Sequence, residues 1–165
     1  MIHEILGQLA NTPVATAIRE GDIWFPWLET VHVLAVTLVF GTIVTVDLRL
    51  LGFRGYRAGR AAVIREMVPW TWGAFGLAVV SGSALFISKA ETYADNTFFR
   101  LKMAALLAAG LNMAIFHLGP YRAISDWDTA SIPPVSVRLA GGLSLACWLA
   151  VLCCGRWIGF TLSNF

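Results

Sequence analysis

Four long apolar runs follow one another along the chain, separated by short polar stretches. Each run approaches or exceeds the ~20 residues that a transmembrane helix needs to cross a bilayer. The pattern therefore predicts an all-α fold, an integral membrane four-helix bundle in which residues 1–165 form a single transmembrane domain. The predicted spans are residues 24–51, 70–88, 98–118 and 137–160.

The first 20 residues have a different pattern, in which apolar and polar positions are mixed. His3, Glu4, Gln8 and Asn11 interrupt the apolar positions, and no basic region precedes an uninterrupted apolar core as in a signal peptide. The spacing is typical of a helix that lies in the bilayer interface. We predict a short N-terminal interfacial helix within residues 1–20, although Pro13 lies in its middle.

Composition agrees with a lipid environment. Hydrophobic residues make up 58% of the chain, charged residues only 13%, and the mean hydropathy is +0.70. A soluble domain of this size carries more charge. Four spans leave no room for a soluble catalytic module, and without a soluble fold to present its basic residues the chain does not fit a nucleic-acid-binding role. The lipid bilayer is the predicted environment.

The distribution of arginine predicts the orientation in a bacterial inner membrane. The first and third loops with their helix ends carry seven arginines against four acidic residues, a net charge of +3. The opposite side carries five basic against six acidic residues, a net charge of −1. Basic loops stay in the cytoplasm. We therefore predict that the Arg-rich loop 53–69 is cytoplasmic and that both termini are outside. Its arginines are Arg54, Arg57, Arg60 and Arg65.

Small residues recur at four-residue spacing on three of the spans, for example Ala78 with Gly82 and Gly142 with Ala146. Such faces let transmembrane helices approach closely. They fit packing within the bundle and equally a homo-oligomer. The three cysteines all lie in the last span, where neighbours on one helix do not bridge each other. They are read as packing residues, with copper binding as the alternative.

Ionisable residues interrupt the first span. Glu29, His32 and Asp47 lie on one helical face, which follows steps of three or four residues through Val36, Phe40 and Ile43. Charged groups at membrane depth are costly and require a partner, a cavity or a cofactor. We therefore expect this face to point into the bundle.

The third span carries Arg100, Lys102, Asn112 and His117. The first and third helices run in the same direction, yet His32 lies near the start of one and His117 near the end of the other. At 1.5 Å per residue, they are on the order of 20 Å apart along the membrane normal. One haem iron cannot bind both within one subunit, and Lys102 is instead the residue expected at the depth of His32.

Two polar groups are thus predicted. At the outer leaflet, Glu29, Lys102 and Arg100 surround His32, with Lys89 and Arg156 nearby; at the inner leaflet, His117 lies with Asp47, Arg49 and Arg138. Imidazole is a common axial haem ligand, and nearby cations suit haem propionates. The alternatives are structural: a hydrogen-bonded neutral His32, a His117 that caps its helix, an Asp47–Arg49 ion pair, and an Asn112 that bonds to another helix.

The chain resembles a family of small four-helix bacterial inner-membrane proteins of unknown function over most of residues 24–160. The resemblance lies in the runs VHVLAVTLVFGTIVTVDLRLLG, PWTWGAFGLAVVSG, FFRLKMAALLAAGLNMAIFH and LAGGLSLACWLAVLCCGRWIGF.

More remotely, the chain resembles the HemJ-type protoporphyrinogen oxidases, small helical membrane proteins that bind haem b. The residues that carry this likeness are Trp27, Leu28, His32, Gly41, Arg49, Lys102 and His117. The resemblance implies His32 as a haem ligand and Lys102 as a charged site residue. The chain has Asp47-Leu48-Arg49 where that family tends to have Pro-Arg.

Three hypotheses follow. In the first, the protein binds haem b and has a redox or electron-transfer role, with His32 as axial ligand, His117 as a candidate second site, Lys102 or Arg100 as propionate partners, and quinone or another redox partner as electron acceptor. In the second, it handles copper through His32, Glu29 and the cysteines of the last span. In the third, it is a cofactor-free structural or accessory membrane subunit.

Overall fold

A computed structural model describes residues 2–53 and 59–162, and within these ranges the chain is helical with no strands. Arg54 and Arg57, two of the arginines used to predict orientation, lie outside the described residues. The helices are α1 (Ile2–Ala10), α2 (Pro13–Glu20), α3 (Trp24–Leu51), α4 (Arg60–Ser88), α5 (Ala90–Asp95), α6 (Thr97–Leu118), α7 (Ile124–Trp127) and α8 (Val135–Leu162), with a 3-10 turn at Pro120–Ala123 before α7.

Four segments are long and apolar enough to cross a membrane, which confirms the predicted all-α membrane architecture. They are Trp24–Leu51, Arg60–Ser88, Thr97–Trp127 and Val135–Thr161. Many of their large apolar side chains are exposed, as expected for helices whose outer surfaces contact lipid.

The second long helix begins about three turns before the predicted start of the second span. Instead of forming a loop up to residue 69, the chain enters α4 at Arg60 and remains helical through Pro69. The N-terminus of α4 is capped from a distant segment, because the Asp128 Oδ1 accepts a hydrogen bond from the Ala61 N–H at 2.7 Å. A cap supplied by another loop leaves no local sequence signal.

The N-terminal segment forms two short helices where one was predicted. Thr12 separates them, and its Oγ1 accepts a hydrogen bond from the Ala15 N–H at 3.3 Å. Pro13 occupies the first turn of α2, where a missing N–H costs nothing. The second helix buries Ala15 and Ile18 against α3 and α4, so this segment is docked onto the bundle.

The long helices pack in the spatial order α4–α3–α8–α6. His32 contacts Ser81 and Thr42 contacts Thr71, so α3 and α4 are antiparallel. Asn96 contacts Thr161 and Asn112 contacts Ala140, so α6 and α8 are antiparallel as well, and the end of α3 meets the start of α8 at Gly141. We call the end where α3 begins the N-terminal face, and the end where α3 finishes the loop face. Helices α4 and α6 do not pack along each other's length, and they meet at the N-terminal face, where Phe86 stacks on Phe99.

Two apolar clusters hold the bundle together. The central cluster has buried members from all four long helices: Val39, Ala74, Ala109, Trp148 and Val151. The second closes the loop face and consists of Leu50, Ile64, Phe116, Trp127 and Val137. Both clusters contain residues from all four long helices. They therefore fix the helices relative to one another and, with them, the polar side chains that the helices carry.

Candidate functional site

His32 lies in the third turn of α3 and contacts α4. Its Nδ1 is 3.1 Å from the Oγ of Ser81, which is buried. The next residue, Gly82, makes this approach possible, since a Cβ there would lie only 2.8 Å from the His32 Cε1. The imidazole therefore packs directly on the α4 backbone, which fixes the orientation of the ring.

The hydrogen bonds around Ser81 determine which imidazole nitrogen carries the proton. The Ser81 hydroxyl donates to the Leu77 carbonyl oxygen at 2.7 Å, so its oxygen is left to accept from His32. The Ala78 carbonyl, which can only accept, also faces the imidazole. The ring N–H is thus directed at α4 through Nδ1. In a neutral imidazole, Nε2 then keeps its lone pair, the arrangement found in metal-ligating histidines.

Lys102 of α6 is the cation that interacts electrostatically with His32. Its Nζ lies beside α8, 3.8 Å from the position that a Cβ on Gly155 would take, and it also interacts with Cys154. Within residues 2–53 and 59–162, Lys102 has no hydrogen bond and no carboxylate partner. The bundle interior therefore holds a largely buried positive charge close to a ligand-competent imidazole, as predicted from the depths of the two residues.

The other cations expected around His32 are directed elsewhere. Arg100 is exposed, with its Nη2 3.4 Å from Asp95 Oδ1 and its Nε donating to the Ala94 carbonyl oxygen at 2.8 Å. Lys89 lies over the Phe25 ring at 5.8 Å and Arg156 over the Phe160 ring at 4.5 Å. The predicted cluster of four cations around His32 was therefore wrong, because three of them have closer partners at the N-terminal face.

Glu29 is also exposed, and its charge acts on Tyr93 of α5. The prediction that Glu29 points into the bundle together with His32 and Asp47 was therefore wrong, because Glu29 lies at the surface of the N-terminal face. Burial and, secondarily, the negative charge of Glu29 raise the pKa of the Tyr93 phenol.

His117 lies at the opposite end of the bundle from His32. It is the penultimate residue of α6 and is exposed, with its Nδ1 donating to the Met113 carbonyl oxygen at 2.9 Å and its ring 5.0 Å from that of Tyr121. The antiparallel pairing of α6 with α8 places it at the loop face. The predicted separation of the two histidines is confirmed, and a second cofactor site at His117 stays a prediction.

Asp47 and Arg49 do not form the ion pair that was expected. The Asp47 side chain is hydrogen-bonded to Ser144 of α8, whereas the Arg49 Nη1 donates to the Phe53 carbonyl oxygen at 3.4 Å. Residues two apart on a helix point in different directions, so the pair was geometrically unfavourable. Asn112 bonds to the Ala140 carbonyl oxygen of α8 at 2.9 Å, which confirms its predicted interhelical role.

The sequence interpretation missed Ser81 as the partner of His32. Ser81 lies between Ala78 and Gly82, a small-residue pair whose spacing predicts only close helix packing. Its position in the Ser-Gly-Ser stretch 81–83 was the one available signal. Ser81 lies 49 residues from His32 on another helix. The pattern of apolar residues does not show which residues of two spans lie opposite each other.

Copper binding, the second hypothesis, stays a prediction, and the described residues are grouped as follows. They contain no group of three or more His, Cys, Asp or Glu side chains that could hold a metal ion. Cys147, Cys153 and Cys154 are free thiols. A prosthetic group such as haem does not need three protein ligands, because one imidazole is enough to bind its iron.

Comparison with known proteins identifies the family. No curated protein and no solved structure matches the chain. A family model described as a family of unknown function, DUF6644, matches residues 13–161, which run from α2 to the last turn of α8 and include both His32 and Lys102. Because the match covers most of the chain, this protein belongs to the DUF6644 family.

Proposed function

We propose that the protein is a b-type haem-binding integral membrane protein with a redox or electron-transfer role. One observation carries the proposal: Ser81 holds His32 through Nδ1, which leaves Nε2 without a proton, and the charge of the largely buried Lys102 acts on the same imidazole. In this assignment His32 would hold the haem iron and Lys102 would bind a propionate. When bound, haem supplies one-electron redox chemistry that no side chain at this site provides.

The charge of Lys102 supports an anionic ligand. A buried cation without a protein carboxylate is costly in a membrane interior, and a propionate would offset its charge. Lys102 is the one cation of the predicted four that interacts with His32 among the described residues. Arg100 is not a propionate partner in this assignment, since its ion pair with Asp95 directs it to the surface.

The packing order supports a flat apolar ligand. Helices α4 and α6 meet through aromatic side chains at the N-terminal face and do not pack along their length. This edge of the bundle, with His32 and Ser81 on one side and Lys102 on the other, is the natural place for entry from the lipid. The same edge would give a membrane quinone access as electron acceptor.

The likeness to HemJ-type proteins supports haem binding more than it supports their reaction. His32 and Lys102, two residues that carry the likeness, are the two that interact in this fold. The Asp47-Leu48-Arg49 stretch departs from the Pro-Arg of that family. Protoporphyrinogen oxidation is therefore not part of the proposal.

The proposed location is a bacterial inner membrane, with both termini outside and the 53–69 segment cytoplasmic. The support is the net charge of +3 on the loop face against −1 on the N-terminal face. In this orientation the His32 site lies in the outer half of the membrane.

An absorption spectrum of the protein, purified in detergent from cells supplied with haem precursor, tests the proposal. We expect a Soret band that shifts on reduction, is lost in His32→Ala and is retained in His3→Ala, which removes an exposed histidine of α1. Lys102→Met should weaken haem binding more than Lys89→Met does. A wild-type protein without a reducible Soret band overturns the proposal; stoichiometric bound copper would then favour metal handling, and a metal-free protein a structural subunit.

A further inference from the structure

Asp47 is a buried carboxyl group that the proposed haem site does not use. It lies 15 residues beyond His32 on α3, which corresponds to about 22 Å along the helix. Its exposed fraction is only 4%. Helices α3 and α8 touch here, since a Cβ on Gly141 would lie 3.1 Å from the Asp47 carbonyl oxygen.

The carboxyl group has one partner. Ser144 of α8 is hydrogen-bonded to it. The second oxygen, Oδ2, is shielded from solvent and has no hydrogen-bond partner among residues 2–53 and 59–162. Buried polar atoms are normally satisfied, so an orphaned carboxyl oxygen calls for an explanation in terms of something that it binds.

No cation within the described ranges neutralises this group. On α4, Arg60 Nη1 contacts the carbonyl oxygens of Trp127, Asp128 and Ala130. On α3, Arg49 Nη1 is directed at the Phe53 carbonyl oxygen. The remaining charged groups near the loop face on the packed helices are exposed: Arg65 and Glu66 of α4 and Arg138 of α8.

An ionised carboxylate in this position would be strongly unfavourable, because it is removed from water and the described residues give it no counter-charge. Binding a proton removes the charge and gives the group both a donor and an acceptor. We propose that Asp47 is an intramembrane proton-binding site, loaded at neutral pH, which releases its proton reversibly to water at the loop face. On release the carboxyl O–H bond breaks, the proton passes to water, and the carboxylate remains bonded to Ser144.

Infrared spectroscopy of the full chain in lipid vesicles tests this site. At neutral pH the wild type should show the C=O stretch of a protonated carboxyl group, which shifts in D2O and disappears reversibly at high pH. Asp47→Asn should lack the band. Asp95→Asn, which removes an exposed carboxylate paired with Arg100, should retain it.

A second variant separates proton binding from folding. Ser144→Ala keeps the carboxyl group and removes its hydrogen bond, so the band should change frequency without being lost. Absence of a protonated-carboxyl band in the wild type at neutral pH, its persistence in Asp47→Asn, or its failure to shift in D2O would each overturn the proposal. The measurement does not depend on haem, so its outcome is independent of the proposed redox role.

Discussion

His32 Nδ1 lies 3.1 Å from Ser81 Oγ, across the contact between the first two membrane helices. The Ser81 hydroxyl is itself committed to the Leu77 carbonyl oxygen, so His32 is the donor. This single contact determines the tautomer of the imidazole and holds the ring against α4. It is therefore the feature on which the chemistry of the site depends most.

Ser81→Ala removes the acceptor that orients His32 while leaving the ring in place. We expect haem affinity to fall by ~10–100-fold, the usual effect of losing the hydrogen bond behind a metal-binding histidine. Haem titration of the apo-protein measures the change. Ser83→Ala, an exposed change on the same helix, is the control and should bind haem like the wild type. Equal affinities for the two variants would contradict the role given to Ser81.

Gly82→Ala should displace the imidazole. The new Cβ would lie 2.8 Å from His32 Cε1, and the ring can rotate away from it. Stability should change little, because alanine favours a helix by ~1 kcal/mol over glycine and offsets the lost contact. The haem spectrum or the His32 imidazole NMR signals should shift clearly.

Gly76→Ala is the matched control for this change. It lies on the same helix, and nothing lies within 4 Å of the Cβ that it would gain. It should leave the His32 signals unchanged and stabilise the protein slightly. Identical His32 signals in Gly82→Ala and Gly76→Ala would argue against the packing of the imidazole on α4.

Arg60→Ala should destabilise the loop face. The buried guanidinium donates to the carbonyl oxygens of Arg49, Trp127, Asp128 and Ala130, and without it these acceptors lose a charged partner. We expect a loss of about 3 kcal/mol in the free energy of unfolding, measured by denaturant titration in mixed micelles. Lysine should rescue only part of it, since it lacks the planar fork of donors.

Arg65→Ala provides the comparison for Arg60. It removes an exposed arginine from the second turn of the same helix and should change stability by no more than about 0.5 kcal/mol. A comparable loss in both variants would indicate a general effect of charge rather than the specific contacts of Arg60.

Tyr93 gives a prediction about pH. Burial raises the pKa of its phenol, and the charge of Glu29 raises it further. Glu29→Gln should lower this pKa but leave it above the ordinary value of about 10, since burial is the larger cause. Phenolate absorbance as a function of pH, with the signal of Tyr93→Phe subtracted, measures it.

The sign of the effect on stability follows from the same shift. The folded-state pKa lies above that of the unfolded chain, so this contribution to stability is fully present below about pH 10 and is lost as the pH rises from there through the folded-state value. Glu91→Gln, an exposed change on the same short helix, should leave the titration as it is. An unchanged Tyr93 pKa in Glu29→Gln would contradict the interaction.

The sequence alone predicted much of the fold because transmembrane helices can be recognised by their length and apolar composition. Three of the four long helices have bounds within two residues of the predicted ones, and the exception is the start of α4. That helix extends back to Arg60 because Asp128 caps it and because the Arg60 guanidinium is buried in the 127–130 turn. Both contacts join residues more than 60 positions apart, so a local pattern cannot reveal them.

For the candidate site, the sequence predicted only how deep in the membrane each polar residue lies. Counting residues from the helix ends placed His32 with Lys102 and separated His32 from His117, since a helix rises by a constant amount per residue. The direction of each side chain around its helix was not predictable in this way. Arg100 lies about half a turn from Lys102, so the two side chains leave the helix in opposite directions, and Arg100 pairs with Asp95 at the surface.

The amino-acid sequence by itself determined that this protein is a four-span membrane helix bundle with polar groups near both ends, because apolar length and the cost of buried charge are properties of each segment. The tertiary structure alone decided which residues meet: Ser81 with His32, and Ser144 rather than Arg49 with Asp47. The physical reason is that lipid is as apolar as a helix surface, so hydrophobicity does not distinguish a packed face from an exposed one. Close fit at Gly82 and Gly141 and hydrogen bonds between helices make that distinction in three dimensions.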